Sequence, residues 1–176
     1  MKPGVRWSVR AAEAADEPLM RQIYASTRAA ELAATGWDEA TCERFVAMQF
    51  NAQRTHYEQT WPQARLQVIE VHTEGGLQAA GRLWVDDRPG SLHVLDIAIL
   101  PHCQGQGLGQ ACLERLQQQA RARGLGMSIY VEQGNPARRL YHRLGFVEQG
   151  EPVGIHQYMV WQDLSVTQQE PCDEQA

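Results

Sequence analysis

No stretch of this chain stays apolar for the roughly 20 residues that a membrane-spanning helix needs, so no span is expected. Met1-Lys2-Pro3-Gly4 leads into mixed polar sequence instead of an apolar leader segment; the expectation is a cytoplasmic protein. Cysteine is sparse. Cys42, Cys103, Cys112 and Cys172 include no CxxC pair and no metal-ligand spacing. Reduced thiols are expected, without a disulfide framework or a metal site. Cys103, beside a glycine loop, leaves a reactive role open. Positive charge is also lacking: the formal net charge is -5. Nucleic-acid binding needs clustered Lys and Arg, so no nucleic-acid partner is expected. No internal repeat is visible.

What is present suits one globular domain. A chain of 176 residues removes roughly 70% of its unfolded surface from water on folding. Hydrophobic content of 43% and charged content of 21% are ordinary. The domain is expected over residues 1–164, followed over 165–176 by a polar, aperiodic tail that reads as flexible.

The pattern of elements points to a mixed α/β fold. Residues 6–10 read as a strand. Asp16-Glu17-Pro18 reads as a helix start, with Leu19, Ile23 and Tyr24 at helical spacing. Thr35-Gly36 breaks that helix, and Asp38 is placed to cap a second, with Phe45, Met48 and Ala52 along one face. Strands follow over 66–72, 77–85 and 92–100, then a glycine loop, a helix over 108–123 and a strand over 125–132. A helix over 136–144 closes at Gly145, and strands at 146–147 and 156–161 end the pattern. The 92–132 stretch is a strand–helix–strand crossover.

The glycine loop carries the first chemical signal. Gln104-Gly105-Gln106-Gly107-Leu108-Gly109 joins a strand end to an amphipathic helix with Leu108, Cys112, Leu116 and Ala120 on one stripe. Amides at a helix start point outward, and the helix dipole adds partial positive charge. Glycine lets a pyrophosphate approach the backbone. The same loop also serves as a plain chain turn. A Walker loop is absent, because Gly109-Gln110-Ala111 lacks the Gly-Lys-Ser/Thr ending. A dinucleotide fingerprint fits Gly105 and Gly107 but meets Gln110 where its third glycine belongs. Glu132, at the end of the next strand, keeps a nicotinamide-dependent oxidoreductase as an alternative. A non-catalytic acyl-CoA-binding module is a second.

Two motifs together resemble the GNAT family of N-acetyltransferases. Gln104, Gly107 and Gly109 satisfy its Q/R-x-x-G-x-G/A pattern. Asn135 after the next strand, the Leu140-Tyr141 pair and Gly145-Phe146 match its downstream feature. The likeness runs from about Val9 to Trp161. It implies a single mixed β-sheet flanked by helices, with splayed central strands, and acetyl-CoA as co-substrate with no metal. It implies that the backbone of Ile97, Ala98 and Ile99 pairs with the pantetheine arm. Gln104, Gly105, Gln106, Gly107, Leu108 and Gly109 would hold the pyrophosphate, and Asn135 would meet the cofactor arm or an ordered water. Tyr141 would touch the cofactor and act as general acid on the leaving thiolate, since a phenol of pKa about 10 can protonate a thiolate whose conjugate acid lies near ~8.5.

Other roles stay open. Glu132 is the leading general base, with Asp96, His93 and water beside it. The related N-terminal acetyltransferases carry a Glu on the second splayed strand where Tyr130 stands here, so their substrate does not carry over. Arg138, with Arg139 and Arg143, either meets the 3′-phosphate of CoA or forms a solvated basic face. Trp37, Phe45, Phe50, Tyr57 and Trp61 either line an acceptor pocket or belong to the core. The acceptor is an amine on a small molecule, peptide or protein, and a homodimer stays open.

Overall fold

A computed structural model of the chain describes residues 6–163; Cys172 and the expected tail over 165–176 lie outside the described residues. Seven strands and four helices are present among them. They are β1 (Trp7–Ala11), α1 (Glu17–Thr35), α2 (Glu39–Thr60), β2 (Arg65–Thr73), β3 (Gly76–Arg88), β4 (Ser91–Ile99), α3 (Leu108–Ala122), β5 (Gly126–Glu132), α4 (Arg138–Arg143), β6 (Val147–Glu148) and β7 (His156–Trp161). The strands form one mixed sheet in the order β1-β2-β3-β4-β5-β7-β6. By contacts the chain divides into two compact units. One runs to Asp87 and resumes over Val94–Cys112; the other comprises Arg88–His93 and the described chain from Leu113 on.

In the first unit β1, β2 and β3 pair antiparallel, with Val9 opposite Ile69, Val68 opposite Arg82 and Leu66 opposite Trp84. A register shift between Ile69 and Glu70 bends β2. Arg10 ties this edge together: its Nε donates to Glu70 at 2.9 Å and its two terminal nitrogens to Asp16 at 2.7 and 2.8 Å. Asp16 therefore spends its carboxylate on Arg10 and on the Glu13 amide, at 2.8 Å, instead of capping α1. Asp38 does cap α2, accepting from the Thr41 amide at 2.7 Å.

The helices bury Met20 and Tyr24 of α1 against Val46 and Phe50 of α2 over Val68. The expected apolar face of α2 is thus corrected by one residue. Met48 is 58% exposed, and Phe45 packs edge-on to Trp37 with centroids 5.3 Å apart. One residue is 100° around a helix, so the i, i+4 pair at 46 and 50, not the aromatic count, sets the buried stripe.

In the second unit β5 pairs antiparallel with β7, Tyr130 opposite Tyr158 and Glu132 opposite His156, and β7 pairs with the short β6. Met127, Ile129 and Val131 alternate inward along β5. The stripe of α3 is buried as its spacing requires, at Leu108, Cys112, Leu116 and Ala120. Gly124, with φ 63°, ends that helix in the left-handed region.

Candidate active site

Pro101 ends β4 and starts a single 3-10 turn over Pro101–Cys103. The chain then enters the glycine loop, where φ is 70° at Gly105 and 83° at Gly107. Side chains other than glycine resist that region. A Cβ built at Gly105 would meet nothing within 4 Å, so the ground beside it is open. Gln104 anchors the loop by donating Nε2 to the Ile99 carbonyl at 2.8 Å, and Gln106 donates to the His102 carbonyl at 3.2 Å. The first helical bond of α3 runs from the Ala111 amide to the Gly107 carbonyl at 3.0 Å. The Leu108 and Gly109 amides precede it, at the positive end of the helix. Three features make this a fitting cradle for a pyrophosphate: open ground, two left-handed glycines and a helix start.

Ile97, Ala98 and Ile99 lie just upstream on β4. Ala98 packs with Ile23 and Leu100, so its side chain is core. Asp96 accepts from the Arg82 Nε at 2.6 Å, and Arg82 also donates to the Gln53 side chain at 3.0 Å. Tyr57 donates its hydroxyl to the Leu95 carbonyl at 3.2 Å. Burial, and next the charge of Asp96, push the Tyr57 phenol up to about 12. Asp96 is thus engaged by a buried guanidinium. Cys103 is buried, and burial raises its thiol pKa, which makes a nucleophilic role a poor fit.

In the second unit Glu132 faces His156 across the strands, with carboxylate and imidazole 4.0 Å apart. The Asn135 side chain accepts the Ala137 amide at 2.9 Å, an Asx turn that leads into α4. Regular helix therefore begins at Arg138, two residues later than the sequence suggests. Arg138 donates to the Gln133 carbonyl at 2.8 Å and to Glu148, whose carboxyl that hydrogen bond, and then the guanidinium charge, hold below the usual range. Its guanidinium braces the turn, whereas Arg139 and Arg143 are exposed.

Tyr141 is 4% exposed. Gly145, φ 84°, closes α4 with two bonds: the Gly145 amide to the His142 carbonyl at 3.0 Å and the Phe146 amide to the Tyr141 carbonyl at 3.0 Å. That pairing is a Schellman cap, which brings the residue after the glycine onto the last turn. Phe146 accordingly packs on Tyr141, with centroids 5.9 Å apart. Gln117 of α3 donates to the Leu144 carbonyl at 2.7 Å and holds the same turn. His93 is buried, its Nδ1 2.8 Å from the Ser128 hydroxyl, which lies 3.1 Å from that of Ser91. Burial, helped by the charge of Arg88, lowers its pKa to about 4.

The model of the acetyltransferase (GNAT) family matches residues 27–146. The chain belongs to this family. The family is one of acetyltransferases, which does not favour the nicotinamide or non-catalytic readings. The antiparallel β1–β3 meander likewise differs from a doubly wound dinucleotide fold. A mycothiol acetyltransferase of Beutenbergia cavernae is 34% identical over 115 residues, covering 62% of this chain and 36% of its own length. The chain thus spans about a third of that relative. Two solved structures share the fold. PaiA N-acetyltransferase of Thermoplasma acidophilum, in complex with coenzyme A, has a TM-score of 0.65 at 12% identity, covering 90% of this chain and 99% of its own. The Salmonella typhimurium protein yncA, with its cofactor acetyl-CoA, has a TM-score of 0.54 at 24% identity, covering 89% and 94%. No helix among the described residues is long and apolar enough to cross a membrane, and no cluster of metal-binding side chains is present there.

Sequence reasoning missed Arg82, Gly81 and Gln117. A charged residue and a glycine inside the apolar 77–85 run were the available signals for the first two.

Proposed function

We propose that the chain moves the acetyl group of acetyl-CoA onto a primary amine of a small molecule, peptide or protein. The observation that carries this is the loop 104–109, with its two left-handed glycines ahead of α3, in a chain of the GNAT family. Gln104, Gly105, Gln106, Gly107, Leu108 and Gly109 bind the pyrophosphate. The backbone of Ile97, Ala98 and Ile99 receives the pantetheine arm, and Asn135 contacts the cofactor or an ordered water.

The neutral amine attacks the thioester carbonyl carbon. The new C–N bond forms, the C–S bond breaks, and the sulfur leaves as thiolate. Tyr141 gives that thiolate its proton, and the nitrogen loses one to water or Glu132. An α-amino group, with pKa near ~8, needs little help to be neutral; a lysine amine, near ~10.4, needs more.

The test is twofold. Acetyl-CoA should raise the melting temperature, because a ligand of the native state stabilises by mass action; Gly107→Val should lose that shift while keeping the apo near-ultraviolet spectrum. Amine-dependent release of CoA across a panel of amines should accompany it. A full shift in Gly107→Val would take the loop out of the cofactor site, and binding without transfer to any amine would refute the reaction.

A further inference from the structure

β5 has a buried face and a partly open one. Met127, Ile129 and Val131 point into the core, so Ser128, Tyr130 and Glu132 share the other side. The register sets Val160 opposite Ser128, Tyr158 opposite Tyr130 and His156 opposite Glu132. At the first of these rungs the face is closed: Ser128 is 1% exposed, with its hydroxyl against His93. From the next rung it opens. Tyr130 is 47% exposed, and its ring centroid lies 4.8 Å from that of Tyr158. His93 backs the Tyr130 ring edge-on at 5.9 Å. On the last rung the Glu132 carboxylate stands 4.0 Å from the His156 imidazole.

Two phenol rings and a carboxylate on neighbouring rungs share one electrostatic character. The ring faces are negative by their quadrupoles, the carboxylate by its charge, and β5, β6 and β7 contain no lysine or arginine. The charge of Arg88 acts on His93, at the closed rung. Glu148 of β6 faces the other way, opposite Met159, and is held by Arg138. Such a surface attracts a cation. It does not suit the nitrogen that reacts. That nitrogen must be neutral to attack, whereas ring faces and a carboxylate favour its protonated form. The charge that fits is a second one, which the acceptor keeps throughout. The face adjoins the turn assigned to the cofactor, since the Asn135 amide donates to the Glu132 carbonyl at 2.9 Å.

We propose that Tyr130, Tyr158 and Glu132 bind a second, non-reacting cationic group of the acceptor. The proposal rests on the transferase reading above and adds the class of acceptor: an amine that carries a further ammonium or guanidinium group. Glu132 is then its counter-ion, and water takes the proton of the reacting nitrogen.

The experiment measures acetyl transfer to diamines and to the monoamines that put a methyl group where the second ammonium stands: putrescine with pentylamine, cadaverine with hexylamine, hexamethylenediamine with heptylamine. In at least one pair the diamine should have a kcat/KM roughly tenfold higher or more. Tyr130→Leu, at a half-exposed position, should abolish most of that preference, whereas Tyr130→Phe, which keeps the ring face, should retain it. A cross-strand aromatic pair also stabilises a sheet, but loss of that role lowers both members alike. Glu132→Gln should reduce the same ratio; an equal fall for both members would make Glu132 the base and overturn its place as counter-ion. Equal turnover of both members in every pair, or a preference that survives Tyr130→Leu intact, overturns the proposal. If no amine accepts acetyl, the transferase reading fails separately. Nuclear magnetic resonance of the tyrosine rings then decides the site, during titration with choline and with the uncharged alcohol that has carbon in place of its nitrogen. Shifts at Tyr130 and Tyr158 with choline alone support it. No shift, or equal shifts with both compounds, refutes it.

Discussion

A single missing methyl group shapes the end of β4. A Cβ at Gly81 would lie 2.3 Å from the Ala98 carbonyl oxygen and 3.1 Å from the Ile99 Cα, both backbone atoms. Neither can move without shifting the segment assigned to the pantetheine arm. Gly81→Ala should therefore destabilise the fold by about 1–3 kcal/mol, as overpacking does, and weaken acetyl-CoA binding in calorimetry. Gly134→Ala is the control, since a Cβ there meets nothing within 4 Å and its φ is ordinary; it should leave both quantities near wild type. Tyr141→Phe removes one hydroxyl and keeps the ring on Phe146. It should lower kcat by about 10- to 100-fold, the low end for a general acid because water partly replaces it, with acetyl-CoA affinity unchanged. Thioesters of more acidic thiols should feel the change less. Wild-type turnover, with chemistry rate-limiting, would remove the assignment. At this scale the sequence spoke through spacing: Gln104, Gly107 and Tyr141 stood in motifs. Arg82 stood out only as a charge in an apolar run, and its partners Gln53 and Asp96 lie 29 residues before it and 14 after.

Elements were legible where local chemistry decides them. The Asp38 cap, Gly124 and Gly145 ended or began helices as their types dictate. The buried face of α2 was not, because Phe45 and Val46 are both apolar and only packing on α1 chooses between them. The start of α4 was blurred by Asn135, whose side chain makes a turn that imitates a cap. The end of α4 carries a test. Gly145 sits at φ 84°, and a Cβ there would come 3.4 Å from the Trp161 ring. Gly145→Ala should cost about 1–2 kcal/mol for the left-handed backbone, read as a lower denaturant midpoint. It should also lower kcat, since the cap sets Phe146 on Tyr141. Gly145→Asn should cost less, because Asn tolerates that region. Equal loss in both variants would mean that crowding at Trp161, not backbone conformation, governs the site.

For the whole molecule the order of strands and helices was legible, because alternation and turn residues mark each boundary. The division into two compact units was not: its boundaries fall inside β3, β4 and α3, after Asp87, His93 and Cys112, and not in the turns between elements. His93 gives the molecule a measurable acid response. Its imidazole is 2% exposed and its pKa is depressed to about 4, chiefly by burial. The unfolded chain holds the same proton with a pKa near ~6.5. Between these values the unfolded state binds a proton that the folded state refuses, so stability is full above about pH 6.5 and falls as pH drops toward 4. A shift of this size corresponds to up to roughly 3 kcal/mol. Asp16, held near 2 by Arg10, loses its contribution only below about pH 4, so the two windows separate. Denaturant midpoints from pH 7.5 to 4.5 should decline in the wild type and stay much flatter in His93→Gln, whatever the absolute stability of that variant. A parallel decline in both proteins would place the acid sensitivity elsewhere and show that the folded imidazole takes up its proton over the same pH range as the unfolded chain.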